Sequence, residues 1–150
     1  MKFKDTNHSA EALTLLDKWF YDEWGKSESF NNAADPFVVP EPILVFDKAE
    51  LIAGLAFKMF PSPQDPSNKI MGLWINALLI APEYRRQKIA SKLILHAIDV
   101  ARNKFANKTI HTQPDQQNLY VYTHLPTLYL KLGWTKVNQV DEFYVLKKEF

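Results

Sequence analysis

The stretch that most restricts what this chain can become lies at its centre. From Ile70 to Ile80 the sequence is almost wholly apolar, it breaks at Pro82, and after Glu83-Tyr84-Arg85-Arg86-Gln87-Lys88 it resumes as a helical pattern. A strand with one wet face alternates polar and apolar residues. A run this continuous, with only Trp74 and Asn76 interrupting its aliphatic character, predicts a central strand covered on both faces. In the segment that follows, Ile89, Leu93, Ala97 and Ala101 recur at helical spacing, and Ile94, Ile98 and Phe105 widen the stripe. That helix has to bury its stripe against a sheet.

The flanking segments fill in the rest. Ala12, Leu13, Leu16, Phe20 and Trp24 mark one face of a helix from Ser9 to Trp24, with Ser9 as its cap, Glu11 near its positive end and Gly25 as its stop. Lys26 to Pro42 mixes polar residues and prolines with Phe30, Phe37 and Val38, and reads as an irregular or short-helical lid. Ile43 to Phe46 and Leu51 to Phe60 form an antiparallel pair around Asp47-Lys48-Ala49-Glu50. Pro61, Pro63 and Pro66 then impose an exposed loop. Downstream come a strand at Asn118 to Thr123, a short helix at Pro126 to Leu132 with Gly133 at its end, and strands at Trp134 to Val137 and Phe143 to Lys147. The fold class is α/β of the α+β kind, built on one sheet, and the 150 residues are expected to form one domain.

Composition removes several functions. With 18 Lys and Arg against 17 Asp and Glu, the net charge of +1 provides no broad field for a phosphate backbone or an anionic membrane, so neither nucleic acid nor membrane is an expected partner. The chain has no cysteine, which excludes disulfides, a thiolate nucleophile and any thiolate metal site. The polar loop around His111 lacks a second histidine and an ordered carboxylate cluster, and no metal is expected. No window approaches the ~18 apolar residues of a membrane span. The amino terminus lacks the uninterrupted apolar core of a signal peptide, and the protein is expected to be cytoplasmic.

Chemistry concentrates where the central strand becomes the long helix. The start of a helix carries unpaired amides and partial positive charge, which makes it a receptor for phosphate, and Arg85, Arg86 and Lys88 add full charges there. These residues resemble the cofactor motif of the GNAT superfamily of N-acetyltransferases: Arg or Gln, two residues, Gly, one residue, then Gly or Ala. Arg85 fits the first position and Ala90 the last. Lys88 stands where the family prefers glycine, and its side chain would either crowd the diphosphate or point outward and add a cation. The resemblance implies that Arg85, Arg86, Gln87, Lys88, Ile89, Ala90 and Ser91 surround the phosphates of acetyl-CoA. It likewise implies that Leu78, Leu79 and Ile80 run beside the pantetheine arm.

A second segment, Leu128-Tyr129-Leu130-Lys131-Leu132-Gly133-Trp134, is similar to the family's downstream motif of an aromatic or leucine, Tyr, variable residues, Gly and an aromatic. Trp74-Ile75 and Glu23-Trp24-Gly25 also resemble features of a bacterial branch. The resemblance implies a mixed, mostly antiparallel sheet flanked by helices, and direct transfer of an acetyl group from acetyl-CoA to an amine in a ternary complex.

Such transfer needs a neutral amine, a polarised thioester and a proton for the departing thiolate. An amine of pKa ~10.4 is neutral less than ~0.1% of the time at pH 7, so a base or a desolvating pocket has to act. The family's tyrosine falls on Tyr129, whose phenol would protonate the sulfur; read without the motif it is a half-buried aromatic of an amphipathic helix. For the base, His124 is the best-placed titratable side chain, and a water relayed by Asn76 or Tyr122 is the alternative. The acceptor is expected to be an amine-bearing small molecule or peptide. Its site would be walled by the first helix, the 26–42 segment and the proline loop, with Trp19, Tyr21, Trp24, Phe30 and Phe37 beside Asp22, Glu23, Glu28 and Asp35. Monomer and homodimer both fit. The rival reading is an acyl-CoA sensor that keeps the fold and has lost the reaction, with Lys88 and the lack of a glutamate in the central strand as its support.

Overall fold

Ser9 starts the first helix by accepting a hydrogen bond from the Ala12 amide (3.1 Å), and Gly25, at φ +72°, stops it with its N–H on the Tyr21 carbonyl (2.7 Å). Between them runs α1 (Ala10–Trp24), with Leu16 and Phe20 fully buried and Trp24 half exposed against the Phe20 ring. The computed structural model describes residues 1–25, 39–67, 69–86, 88–106 and 118–150. Most of the expected lid, Gln87 and the loop around His111 lie outside the described residues.

The strands are β1 (Lys2–Lys4), β2 (Ile43–Asp47), β3 (Glu50–Pro61), β4 (Met71–Ile80), β5 (Asn118–Thr123), β6 (Thr135–Val140) and β7 (Phe143–Glu149); α2 (Ile89–Ala106) follows β4, and α3 (Pro126–Lys131) follows β5. They form one mixed sheet in the order β1-β2-β3-β4-β5-β7-β6. Only the β4–β5 pair is parallel; every other pairing is antiparallel. The mixed, mostly antiparallel sheet with helices on its faces is the expected architecture. Three residues of β1 were not expected, since a span that short carries no period to read. Gly133, at φ +89°, turns the chain out of α3, and the last hairpin strand begins at Thr135, leaving Trp134 as a buried plug.

Two cores clamp the sheet. On one face Ile89, Leu93, Ile94, Ala97, Ile98 and Ala101 of α2 pack against Ile52, Leu55, Leu73, Ile75, Leu119 and Val121, joined by Tyr129 and Trp134. Each fully buried Leu or Ile is worth ~1.5–3 kcal/mol, so this stripe fixes the seat of α2 on β4. On the other face Leu16 and Phe20 meet Leu44, Leu51, Ala56 and Ala77, and Trp74, Tyr120 and Val145 form a smaller cluster farther along.

The proline loop joins the β3–β4 hairpin at the end where Pro61 pairs with Met71, whereas Ala53 pairs with Ile80 at the other. It reaches β5 through Gln64 Nε2, which donates to the Tyr120 hydroxyl (3.1 Å). It is closed on itself: the Asp65 carboxylate accepts from the Ser67 hydroxyl and amide and from the Lys69 and Ile70 amides. Those bonds, the Ser67 hydroxyl first, hold the Asp65 carboxyl below its ordinary pKa.

Candidate active site

β4 and β5 begin as a parallel pair and then separate. Their rungs are Leu73–Leu119, Trp74–Tyr120 and Ile75–Val121, and beyond Ile75 none is formed although both strands continue. The parting coincides with a bulge. Ala56 pairs with Ala77 and Phe57 with Ile75, so Asn76 is the extra residue. Its insertion shifts the alternation: Leu73 and Ile75 belong to the α2-side core, Ala77 and Leu79 to the α1-side core, and Leu78 and Ile80 to the α2 side again.

The same register aims the peptide groups. The Ala81 N–H donates to the Ile52 carbonyl (2.8 Å), making 52/81 a hydrogen-bonded rung. Antiparallel rungs alternate, so Leu79 also bonds toward β3, while the peptide groups of Ile80 and Leu78 turn to the edge that β5 has left. The Ile80 carbonyl is taken by Arg85 Nε (3.1 Å). Both groups of Leu78 and the N–H of Ile80 remain directed into the gap. An extended amide-bearing chain laid there would complete the ladder, while Leu79 faces α1 and offers the gap nothing.

At the mouth of the gap stands the basic turn. A single 3₁₀ turn, Pro82–Tyr84, leads to Arg86 at φ +69° and Lys88 at φ +62°, and the Lys88 carbonyl accepts the first bond of α2 from the Lys92 amide (3.2 Å). Ile89, Ala90 and Ser91 therefore occupy the first turn of α2, where amides have no intrahelical acceptor. Lys88 adopts the left-handed conformation that glycine takes without cost, which is why the motif prefers glycine there. Its side chain is exposed, as are those of Arg85 and Arg86, and none of the three is in an ion pair among the described residues. Ile89 is buried and serves as the anchor of α2.

Tyr129 and His124 lie on opposite sides of the sheet. Tyr129 is 6% exposed in the α2-side core, edge-on to Trp134 at 5.1 Å, in the same cluster against which Leu78 and Ile80 pack. Burial pushes its phenol above the ordinary tyrosine pKa. Its hydroxyl makes no hydrogen bond to another described residue. His124 follows β5, exposed, with its ring edge-on to Phe143 (5.6 Å). Tyr122, one residue past the last β4–β5 rung, stacks on Phe143 at 4.8 Å on the same side.

Two features of this site had no local signal in the sequence. One is the Asn76 bulge, hidden because every neighbour is apolar. The other is a hydrogen bond from the Tyr84 hydroxyl to Asp47 Oδ2 (3.1 Å), which joins residues 37 apart. A hollow of about 420 Å³ between Asp5, Val39, Val100 and Lys104 touches none of the residues above. Among the described residues no three His, Asp or Glu side chains converge as metal ligands, and no helix is long and apolar enough to cross a membrane.

Comparison with known proteins bears on the fold and the family. Among solved structures, the chain superposes on one from the NatC complex bound to Gag peptide and CoA (TM-score 0.68, 18% identity, covering 99% of this chain and 98% of that one). It superposes equally on Arabidopsis thaliana NAA60 in complex with acetyl-CoA (TM-score 0.68, 15% identity, 99% and 98% covered). A third is the PaiA N-acetyltransferase of Thermoplasma acidophilum in complex with coenzyme A (TM-score 0.62, 17% identity, 100% of both chains). At these identities the likeness speaks for the fold. No curated protein matches the sequence. A family model described as the acetyltransferase (GNAT) family matches residues 9–124, from the cap of α1 to the end of β5, and the chain therefore belongs to the GNAT family of acetyl-CoA-dependent acetyltransferases.

Proposed function

We propose that the 150 residues act as a single cytoplasmic domain that transfers an acetyl group from acetyl-CoA directly to the primary amine of a small molecule or peptide. The observation that carries this is the row of edge-facing peptide groups, both of Leu78 and the N–H of Ile80, leading along the gap to the cationic turn at Arg85–Lys88 and the first amides of α2. The diphosphate would take the amides around Lys88 to Ser91, with Arg86 and Lys88 as cations at its rim, and the pantetheine amides would bond to Leu78 and Ile80. The similarity to chains seen with CoA and with a peptide supports the reading.

The chemistry follows from the sidedness of the site. The acceptor reaches the thioester from the Tyr122–Phe143 face, where His124, or a water held by Asn76 or Tyr122, takes the ammonium proton. The neutral amine then attacks the carbonyl carbon, the oxyanion is met by the Leu78 N–H, and the nitrogen sheds its second proton to solvent as the intermediate collapses to the amide. As the C–S bond breaks, the phenol of Tyr129 supplies the proton for the thiolate from the α2 side. Acid and base act on different atoms from different faces, so neither has to move.

Calorimetric titration with acetyl-CoA, followed by assay of thiol release over a panel of small amines and peptides, tests the reading. Binding with release establishes the transferase. Binding without release favours the sensor, and no binding removes both. As the acceptor, nucleic acid is disfavoured by the net charge of +1. A monomer or homodimer suffices, because every proposed group comes from one chain.

A further inference from the structure

Among the non-covalent links that fasten the basic turn to the body of the protein are the Ala81 amide on the Ile52 carbonyl, Arg85 Nε on the Ile80 carbonyl, and the Tyr84 hydroxyl on Asp47 Oδ2. The first two stay within β3, β4 and the turn itself. The third is different, since Asp47 ends β2 and closes its hairpin against Glu50. We propose that the Tyr84–Asp47 bond is a positioning device, which holds the diphosphate-binding turn at the mouth of the gap and so sets affinity for the nucleotide end of the cosubstrate. This rests on the function proposed above.

The turn needs such a tie. Arg86 and Lys88 of the turn are non-glycine residues in the left-handed region, each unfavourable in isolation. Strained backbone persists only where its surroundings over-determine it. At the far end of the turn, burial of Ile89 and Leu93 supplies that restraint. At the near end, the backbone bond from the Arg85 amide to Pro82 is long at 3.4 Å, and the Arg85 and Arg86 side chains are exposed. Tyr84 adds a tie from outside β3, β4 and the turn: its ring packs on the α2-side core, and its hydroxyl is fixed by the carboxylate that ends β2. That hydrogen bond is also the first cause of the raised phenol pKa, so the donor proton stays in place through the neutral range. Neither residue is placed to touch the acyl group, whose position is set by Leu78 on another part of β4.

Two thioesters separate positioning from general stability. Acetyl-CoA has the diphosphate, and S-acetylpantetheine has the arm without it. Tyr84→Phe is expected to raise the Kd and KM for acetyl-CoA about five- to tenfold while kcat at saturation stays within twofold, with kcat/KM for S-acetylpantetheine unchanged. Asp47→Ala should match it. Asp47→Asn should recover most of the affinity, because the amide oxygen still accepts from the phenol, and the Tyr84→Phe/Asp47→Ala pair should be no weaker than either single variant. If the wild type binds acetyl-CoA and Tyr84→Phe binds it within twofold, the positioning role is overturned. It is overturned equally if both thioesters lose by the same factor, which marks a general loosening of the fold. Failure of the wild type to bind acetyl-CoA removes the proposed function and the positioning role together.

Discussion

Arg85 reaches back five residues to hold the carbonyl of Ile80, its Nε at 3.1 Å from the last acceptor of the splayed strand. The family accepts either Arg or Gln at this position, and a neutral side-chain amide can make the same bond. Arg85→Ala leaves that carbonyl without a partner and loosens the turn. For a partly exposed bond worth ~1 kcal/mol, the expected cost is roughly fivefold in acetyl-CoA affinity. Arg85→Gln should stay within about twofold of wild type, as read by calorimetry; an equal loss in both variants would mean that the guanidinium acts by its charge.

Lys88 presents a trade between backbone and charge. Its φ of +62° disfavours any residue with a Cβ, so Lys88→Gly should raise stability by about 1 kcal/mol in urea unfolding without ligand. The same change removes an exposed cation from the rim of the diphosphate site. Affinity for acetyl-CoA should then depend less steeply on salt than in the wild type. A glycine variant that is less stable than its parent would show that the left-handed turn is not the resting state of this segment.

Gly54 of β3 lies directly against Leu16 of α1. A Cβ there would collide with the Leu16 methyl carbons, inside a fully buried contact. Gly54→Ala is expected to destabilise the fold by ~1–3 kcal/mol through overpacking. Leu16→Ala in the same chain should relieve part of the clash, so the double variant loses less than the two single losses summed, as measured by denaturant midpoints.

How much of this was legible before folding depends on whether the signal was local. The α2 stripe, the Ser9 cap and the Gly25 stop were readable because each is written within a few residues and each buries or bonds as its chemistry dictates. The phase slip at Asn76 was not: in a strand apolar on both sides, alternation carries no sign, and only the pairing with Ala56 and Phe57 reveals it. Tyr84 and Asp47 meet through sheet order, which no window of sequence encodes. Strand alternation, once β5 is fixed, sets the face of Tyr122, whereas Tyr129 reaches the α2-side core from helix α3.

His124 can be tested through the acceptor rather than the protein. If it takes the ammonium proton, His124→Ala should lower kcat by tenfold or more with an amine that is protonated at pH 7, and hardly at all with one of low pKa that arrives neutral. A loss of the same size with both amines would assign His124 to binding. No loss with either would hand the proton to a water near Asn76 or Tyr122.

Tyr129 makes the sharpest prediction, because its burial fixes the sign of its pH dependence. Desolvation disfavours the phenolate and raises the folded-state pKa above the ordinary value near 10. The stability this contributes is fully present below the unfolded pKa and is lost as pH rises through the folded one, so unfolding midpoints should fall only on the alkaline side of about pH 10. Over the working range the side chain is an acid with its proton in place. Tyr129→Phe keeps the ring and its contact with Trp134, and should leave acetyl-CoA affinity within about twofold while lowering kcat by ~10² or more. Below pH 10, a basic limb in the rate profile should appear in both proteins, since it belongs to the amine or its base. Equal turnover by the variant would take Tyr129 out of the reaction, leaving the thiolate to depart without a proton from the protein.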